Sequence, residues 1–168
     1  MRTAHVLDAP FLTTGNSALP AYLETVMLVE RMHRELLETV KAELERLGRS
    51  DATAVQALML FYLADREMTA GELGTRGLYQ GSNVSYNLKK LIEGGYVHHR
   101  RCAADRRAVR LRLSSKGAEI HAIVARLFQR QADAIADTND TRGLPLGILN
   151  EGLRLVREGQ SAAATQGF

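Results

Sequence analysis

The chain has 168 residues, of which 45% are hydrophobic and 24% charged, with a formal net charge of +3. Such a composition is typical of one globular domain and excludes collagens, disordered tails and disulfide-stapled mini-proteins. The single cysteine, Cys102, cannot form an internal disulfide, and no apolar run approaches the roughly 20 residues of a membrane span. For these reasons we expect a soluble, cytoplasmic protein. Because aromatic residues are scarce and Leu, Ala, Glu and Arg are plentiful, we expect it to be mainly helical.

The positive charge is concentrated in one segment. Residues 82–116 contain nine lysines and arginines but only two acidic residues, Glu93 and Asp105, so they carry +7 and the rest of the chain carries −4. A basic segment on an acidic body is typical of a surface that binds a polyanion. From charge alone, a solvated basic face without a partner remains the alternative.

A long helix is predicted over residues 21–47, after an irregular N-terminal arm over residues 1–20. Its apolar residues recur at gaps of three and four, at Tyr22, Val26, Val29, Met32, Leu36, Val40, Leu44 and Leu47. Gly48 is expected to end it. At about 40 Å, this helix is longer than the core of so small a domain can cover, so we expect part of it to need a second surface.

Three shorter helices follow. Ser50 or Asp51 is expected to cap the first, which ends near Ala64. Thr69 and Glu72 have the spacing of a capping box, which predicts a short helix ending near Gly77. Ser82 is expected to cap a third, which buries Val84, Leu88 and Leu91 and stops at the glycine pair 94–95.

A hairpin and two further helices complete the chain. Residues 98–102 and 109–113 are predicted strands, and the second alternates apolar residues with Arg110 and Arg112. Ser114 or Ser115 is expected to cap a long helix that breaks at residues 140–144. The last helix has an apolar stripe at Leu146, Leu149, Leu153 and Val156, and residues 159–168 are predicted to be a flexible tail.

Two helices joined by a short glycine-bearing turn and followed by a basic hairpin predict a winged helix-turn-helix. The helix from Ser82 would be the recognition helix. Its side away from the core presents Ser82, Asn83, Ser85, Tyr86, Lys89 and Lys90. Small polar groups in its first turns can approach base edges, whereas the lysines suit phosphates. At the hairpin tip, Asp105 can hold an arginine extended towards a narrow minor groove, which adds Arg106 and Arg107 to the candidate DNA-binding residues.

Residues 68–117 resemble the core of MarR-type transcriptional regulators. The resemblance depends on Glu72-Leu73, the helix from Val84 to Leu91, the run 93–97, the Asp-Arg-Arg run from Asp105, and the run 113–117. It extends over about residues 21–158. Within the family, the pattern looks nearest to alphaproteobacterial members that control L,D-transpeptidase genes. Residues 79–87 lack the Thr-Arg pair common in the family, so no operator sequence carries over.

This resemblance implies a homodimer that binds double-stranded DNA at a near-palindromic operator. Residues 21–50 and 114–158 would be the dimerisation helices, and residues 51–113 the winged helix-turn-helix lobe. By position, Asp105 resembles the residue that orients the wing, and Arg107 the minor-groove arginine. The family often binds amphipathic aromatic effectors. Val40, Leu58 and Phe61 are the candidate pocket residues here, with ordinary core packing as the alternative.

Other chemistry finds little support in the sequence. The five histidines lack metal-ligand spacing, although a zinc site from His33 and His121 stays open as an alternative to ordinary histidines. Cys102 is either an oxidation sensor or a plain strand cysteine. No catalytic set is identifiable, so we expect no enzyme, no metal and no cofactor.

Two hypotheses remain for the function. The favoured one is a dimeric, sequence-specific DNA-binding regulator, expected to be a repressor released by a small effector. The other is a helical interaction module whose basic hairpin binds RNA or an acidic protein.

Overall fold

The computed structural model describes residues 18–64, 66–76, 82–101, 109–142 and 146–166. Within these ranges the chain forms six helices and three short strands. In chain order they are α1 (Leu19–Arg46), α2 (Ala54–Leu63), β1 (Met68–Thr69), α3 (Ala70–Arg76), α4 (Ser82–Glu93), β2 (Val97–Arg101), β3 (Val109–Leu113), α5 (Ser115–Arg142) and α6 (Leu146–Gln166). This order confirms the mainly helical winged helix-turn-helix fold. The chain divides into two compact units between His121 and Ala122.

Helix α1 confirms the first predicted helix but begins at Leu19, so Pro20, which was predicted in the irregular arm, lies in its first turn. Residues 1–17 of the predicted arm lie outside the described residues. Gly48 adopts φ +67° just beyond the end of α1. The cap predicted for α2 is wrong. Thr53, rather than Ser50 or Asp51, caps this helix: its hydroxyl accepts from the Gln56 amide at 3.2 Å, and the Gln56 side chain accepts from the Thr53 amide at 3.1 Å. This reciprocal pair satisfies two backbone amides that the first helical turn leaves without partners. It therefore stabilises a helix start at Thr53 more than a single cap further upstream would.

The capping box at the start of α3 is confirmed. The Thr69 amide donates to Glu72 Oε2 at 2.6 Å, and the Glu72 amide donates to Thr69 Oγ1 at 3.2 Å. Because Thr69 also belongs to β1, this box turns the chain directly from a strand into a helix.

The three strands form one antiparallel sheet in the order β1-β3-β2. In its register His98 lies opposite Arg112, and Arg100 lies opposite Arg110. Val97, Leu111 and Leu113 are buried on one face, whereas the basic residues on the other face are exposed. The predicted alternation over 109–113 is thus confirmed, while β2 begins one residue earlier than expected, at Val97.

The core of the first unit centres on α2, which is apolar on nearly every side. Its Leu58, Leu60 and Leu63 are fully buried. Other fully buried side chains come from the helices and strands around it, namely Val40, Leu44, Leu91, Leu111 and Ile120. Helix α4 packs against this core with one face only, and its other face is exposed.

The second unit contains the rest of α5 and all of α6. Helix α5 ends at Arg142, within the predicted break at 140–144. Helix α6 continues to Gln166, so the irregular tail predicted from residue 159 is helical over residues 159–166. Its leucines and isoleucine at 146, 148, 149 and 155 are all exposed. In the described parts of the chain, no helix is both long and apolar enough to cross a membrane.

Candidate nucleic-acid interface

Helix α4 buries one face and exposes the other, as its sequence pattern predicts. Val84, Leu88 and Leu91 are buried. At its end, the Tyr96 amide donates to the Leu91 carbonyl at 2.9 Å, and Gly95 adopts φ +74°. Glycine adopts this left-handed backbone conformation at a lower free-energy cost than other residues. The glycine pair therefore ends the helix and starts the turn into β2.

The opposite side of α4 forms an exposed arc. Ser82 is the first residue of the helix, and the arc consists of Asn83, Ser85, Tyr86, Lys89 and Lys90. Tyr86 is 62% exposed, which is unusual for an aromatic ring on a helix whose other apolar residues are largely buried. The structure therefore brings the described α4 candidates together on one surface.

Asn87 was not among the residues predicted from the sequence, and it orients one member of the arc. Its side chain is buried, and its amide nitrogen donates to Asn83 Oδ1 at 2.7 Å and to the Asn83 carbonyl at 3.0 Å. These bonds hold the Asn83 side chain in place, so that its own amide can serve as a donor. The asparagine pair four residues apart is the signal that was available in the sequence.

Both lysines of the arc lie near Glu93. Lys90 Nζ is 3.2 Å and Lys89 Nζ is 3.8 Å from its carboxylate oxygens. All three side chains are about half exposed or more, and exposed pairs of this kind contribute little to stability, between about 0 and 1 kcal/mol. The lysines can therefore exchange Glu93 for a phosphate at little cost.

The wing comprises β2, β3 and the segment between them. Its strands are described, but Asp105, Arg106, Arg107 and Cys102 lie outside the described residues. Their roles stay predictions. The exposed residues of the strands that flank this segment include Arg100 and Arg110.

A polar joint ties the end of α4 to the start of α5; it consists of Asp51, Tyr96, Ser114, Lys116 and Gly117. The hydroxyl of Tyr96 donates to the carboxylate of Asp51. Lys116 Nζ lies 3.2 Å from the same carboxylate and 4.0 Å from the centroid of the Tyr96 ring, and it also donates to the Gly94 carbonyl at 3.2 Å. Sequence reasoning missed the joint and assigned Asp51 a capping role.

Ser114 and Gly117 complete the polar joint. Ser114 Oγ donates to the Gly95 carbonyl at 2.7 Å and accepts from the Gly117 amide at 3.1 Å, so Ser114 is the cap of α5. A Cβ atom on Gly117 would lie 2.2 Å from the Tyr96 carbonyl oxygen. This closeness means that the backbone after α4 rests directly on the first turn of α5.

The charges of the joint are mutually stabilising. The hydrogen bond from Tyr96, with help from Lys116, lowers the pKa of Asp51 to about 2. Burial, followed by the bond to Asp51, raises the pKa of Tyr96. The contact with Tyr96 and the pairing with Asp51 raise the pKa of Lys116. Asp51 is therefore ionised and Lys116 protonated at neutral pH.

The three candidate pocket residues lie inside the first unit. Val40 and Leu58 are 1% and 0% exposed. Phe61 is half-buried and stacks on His121, with ring centroids 5.6 Å apart. A recess of about 300 Å³ lies elsewhere, between α4 and β2, where Leu88, Ile92 and His99 are among its lining residues.

The histidines form no cluster suited to a metal in the described part of the chain. No group of three or more histidine, cysteine, aspartate and glutamate side chains is placed to hold an ion there. His121 packs against the ring of Phe61 instead.

Comparison with known proteins finds a family match over part of the chain. Residues 50–108 match the MarR family. The chain is also 39% identical, over 106 residues, to the exopolysaccharide II synthesis transcriptional activator ExpG of Rhizobium meliloti (strain 1021). That alignment covers 63% of this chain and 55% of the relative, so the chain spans about half the length of the curated relative it matches.

Solved structures share the fold at low sequence identity. FabT of Streptococcus pneumoniae, crystallised with DNA, aligns with a TM-score of 0.65 and 18% identity over 84% of this chain and 99% of that one. BldR of Sulfolobus solfataricus aligns with a TM-score of 0.63 and 16% identity over 85% of this chain and 99% of that one. AbsC of Streptomyces coelicolor, a MarR family transcriptional regulator, aligns with a TM-score of 0.60 and 18% identity over 91% of this chain and 99% of that one. Residues 50–108 thus resemble the MarR family, and the chain shares the winged helix-turn-helix fold of these structures.

Proposed function

We propose that this protein is a cytoplasmic transcriptional regulator that binds double-stranded DNA through α4 and the wing. The observation that carries the proposal is the exposed arc of α4, where polar and aromatic groups in the first turns precede two lysines. Base edges are recognised by groups of the first kind and phosphates by those of the second. The match of residues 50–108 to the MarR family and the likeness in fold to FabT, which was crystallised in complex with DNA, support the same conclusion.

The DNA-binding form is proposed to be a homodimer. On α1, Met27, Leu28, Val29 and Met32 are each 45–60% exposed. On α6, Leu146, Ile148, Leu149 and Leu155 are exposed as well. Apolar residues exposed along two long helices are typical of surfaces that a second subunit covers. A symmetric dimer would place one α4 on each half of a near-palindromic operator.

We further propose that a small amphipathic or aromatic effector releases the protein from DNA. Because Val40 and Leu58 are buried in the core, an effector that reaches them has to open the packing between α1 and α2. The direction of regulation is proposed to be repression. The relative ExpG is a transcriptional activator, so a reporter gene under the target promoter is used to distinguish repression from activation.

DNA binding is tested with the full chain and a pool of random duplexes. We expect repeated selection to enrich one near-palindromic sequence, and the protein to bind it at least about 1,000-fold more tightly than a scrambled duplex, as specific DNA-binding proteins do. Equal affinity for both duplexes, or tighter binding to an RNA of the same sequence, would overturn the proposal.

The oligomeric state is tested by sedimentation at micromolar concentration. A dimer without DNA is the expected result. A monomer that stays monomeric on the selected duplex would contradict the proposed two-half-site arrangement.

A further inference from the structure

Asn87 is a polar side chain on the buried face of α4. It is 7% exposed and lies on the same side of the helix as Val84 and Leu88. A buried amide is destabilising unless its polar atoms have hydrogen-bond partners. The amino group of Asn87 has its partners on Asn83, one turn earlier in the same helix.

The chemistry of these two bonds determines which atom of each side chain is the nitrogen and which is the oxygen. Asn87 Nδ2 lies 3.0 Å from the backbone carbonyl oxygen of Asn83, which can only accept, so the Asn87 atom has to be the donor. The same nitrogen lies 2.7 Å from the Asn83 side chain, so the Asn83 atom has to be the acceptor, Oδ1. One backbone carbonyl thus orients both amides.

Neither amide can turn over without leaving a buried group unsatisfied. With Asn87 reversed, its oxygen would face two acceptors. With Asn83 reversed, two amino groups would face each other, and a buried N–H of Asn87 would lose its acceptor, which is destabilising. The Asn83 side chain itself is exposed. Because its Oδ1 is held against Asn87, its amino group is the part that a partner on the exposed arc can reach.

A fixed donor at this position discriminates between bases in the major groove. Guanine presents two neighbouring acceptors there, N7 and O6, whereas adenine presents the N7 acceptor beside the N6 amino donor. Asparagine ordinarily reads adenine with both side-chain atoms, because its oxygen accepts from N6 while its nitrogen donates to N7. Asn83 lacks this option, since its oxygen is turned to the buried Asn87.

We propose that Asn87 sets the base preference of α4: it holds Asn83 as a hydrogen-bond donor, so that Asn83 selects guanine and disfavours adenine. This inference rests on the proposed DNA binding through α4 and adds the kind of base that one residue reads. Cytosine is disfavoured as well, because it presents only its N4 donor, and thymine ranks below guanine because it presents the single acceptor O4 beside a methyl group. Asn87 touches no base and is a positioning residue that acts through Asn83.

The test compares the base preferences of the full chain at single positions of the selected duplex. Each base pair is replaced in turn, and the affinities of the wild type and of Asn83→Ala are measured by titration. The position at which Asn83→Ala no longer distinguishes the bases is the one that Asn83 reads. We expect guanine at this position and a loss of affinity of about 10-fold when adenine replaces it, as one well-oriented base contact supplies.

Asn87→Ala tests the positioning role. Without the Asn87 amide, the Asn83 side chain is free to turn over and read adenine with both of its atoms. The penalty for adenine at this one position should therefore fall from about 10-fold to about 2-fold or less. Base preferences at the other positions and the salt slope should stay as in the wild type, because no phosphate contact is lost.

Asn83→Asp tests the same point at an exposed position, where the core does not have to repack. The aspartate can still accept from Asn87 but presents an acceptor, rather than a donor, to the base. Since cytosine N4 donates to carboxylates, the preference at this position should change from guanine to cytosine. A variant that still prefers guanine would contradict the inference.

The matched control is Leu88→Val, which shortens a buried side chain on the same helix and leaves both Asn83–Asn87 bonds in place. It should lower Tm but keep the preference for guanine over adenine at about 10-fold. If Leu88→Val reduced this preference as much as Asn87→Ala does, the effect would come from helix packing, and the inference would be overturned.

The remaining outcomes separate the two proposals. Any base other than guanine at the position that Asn83 reads, or an unchanged guanine preference in Asn87→Ala, overturns the inference and leaves specific DNA binding intact. The same holds if Asn83→Ala distinguishes the bases at every position as the wild type does. A wild-type chain that binds all duplexes alike overturns the proposed function and the inference together.

Discussion

Tyr96 and Asp51 are 45 residues apart, and the tyrosine hydroxyl donates a hydrogen bond to the aspartate carboxylate. The bond joins the residue that follows the α4 turn to the connection between α1 and α2. Lys116, in the first turn of α5, contacts both partners. The orientation of the proposed recognition helix is thus set at its end by three separate segments of the first unit.

Removing the Tyr96 hydroxyl should lower stability. Tyr96→Phe keeps the buried ring but leaves Asp51 with one hydrogen-bond donor fewer, which should cost about 1–2 kcal/mol. In a chain of this length, that loss lowers Tm by several degrees. The matched control is Tyr86→Phe on the exposed arc, which should change stability by no more than about 0.5 kcal/mol. Equal shifts of Tm in the two variants would argue against the Tyr96–Asp51 bond.

Asp51 should make stability depend on acid pH. Its pKa of about 2 in the folded chain lies below the ordinary value of 3.8, so its contribution is complete well above pH 3.8 and is lost as the pH falls through about 2. Because the side chain is 48% exposed, solvent screening reduces this contribution to about 1 kcal/mol.

The measurement is urea unfolding of the wild type and of Asp51→Asn at about pH 5 and about pH 2. The amide can still accept from Tyr96 but carries no charge. We expect the wild type to be more stable at about pH 5 and most of this difference to be lost at about pH 2. The same difference at both pH values would mean that the charge of Asp51 does not matter.

A methyl group at Gly117 should disrupt the polar joint. Gly117→Ala would place Cβ 2.2 Å from the backbone oxygen of Tyr96, and neither backbone can move without disturbing the start of α5. We expect a loss of about 1–3 kcal/mol or more in the free energy of unfolding, as for overpacked cores. The control is Gly152→Ala within α6, where nothing lies within 4 Å. There alanine should be neutral or stabilise by up to about 1 kcal/mol. A stabilising effect at both positions would contradict the close approach of residue 117 to Tyr96.

Two substitutions on the exposed arc should separate affinity from specificity. Lys90→Ala removes a phosphate contact, so it should weaken binding to the selected and the scrambled duplex alike and reduce the salt slope by about one per chain. Tyr86→Ala should instead narrow the gap between the two duplexes by about 1–3 kcal/mol, if the ring contacts a base edge. Titrations at several salt concentrations give both quantities. Should Tyr86→Ala act like Lys90→Ala, specificity would have to come from the wing or from DNA shape.

Much of the fold could be predicted from the sequence because its signals are local. The capping box of Thr69 and Glu72 needs only residues three apart, and the strand over 109–113 needs only alternation. The exposed arc of α4 follows from the helical period once Val84, Leu88 and Leu91 are placed in the core. These patterns also carried the resemblance to the MarR family, which the match over residues 50–108 bears out.

Tertiary structure decided what local patterns leave open. Several residues before α2 have suitable side chains for its cap, and only the folded chain selects Thr53, because Asp51 is drawn to Tyr96 and Lys116. Strand β1 has two residues, which is too few to show any alternation of apolar and polar side chains. It forms because its backbone pairs with β3 in the antiparallel sheet. The polar joint depends on which distant residues become neighbours. The sequence alone determined which residues can form helices, strands and caps, since those choices depend on neighbours within about one turn. A contact between residues 45 positions apart produces no periodic pattern in the sequence. Only the packing of the whole first unit could therefore bring the Tyr96 hydroxyl to the Asp51 carboxylate.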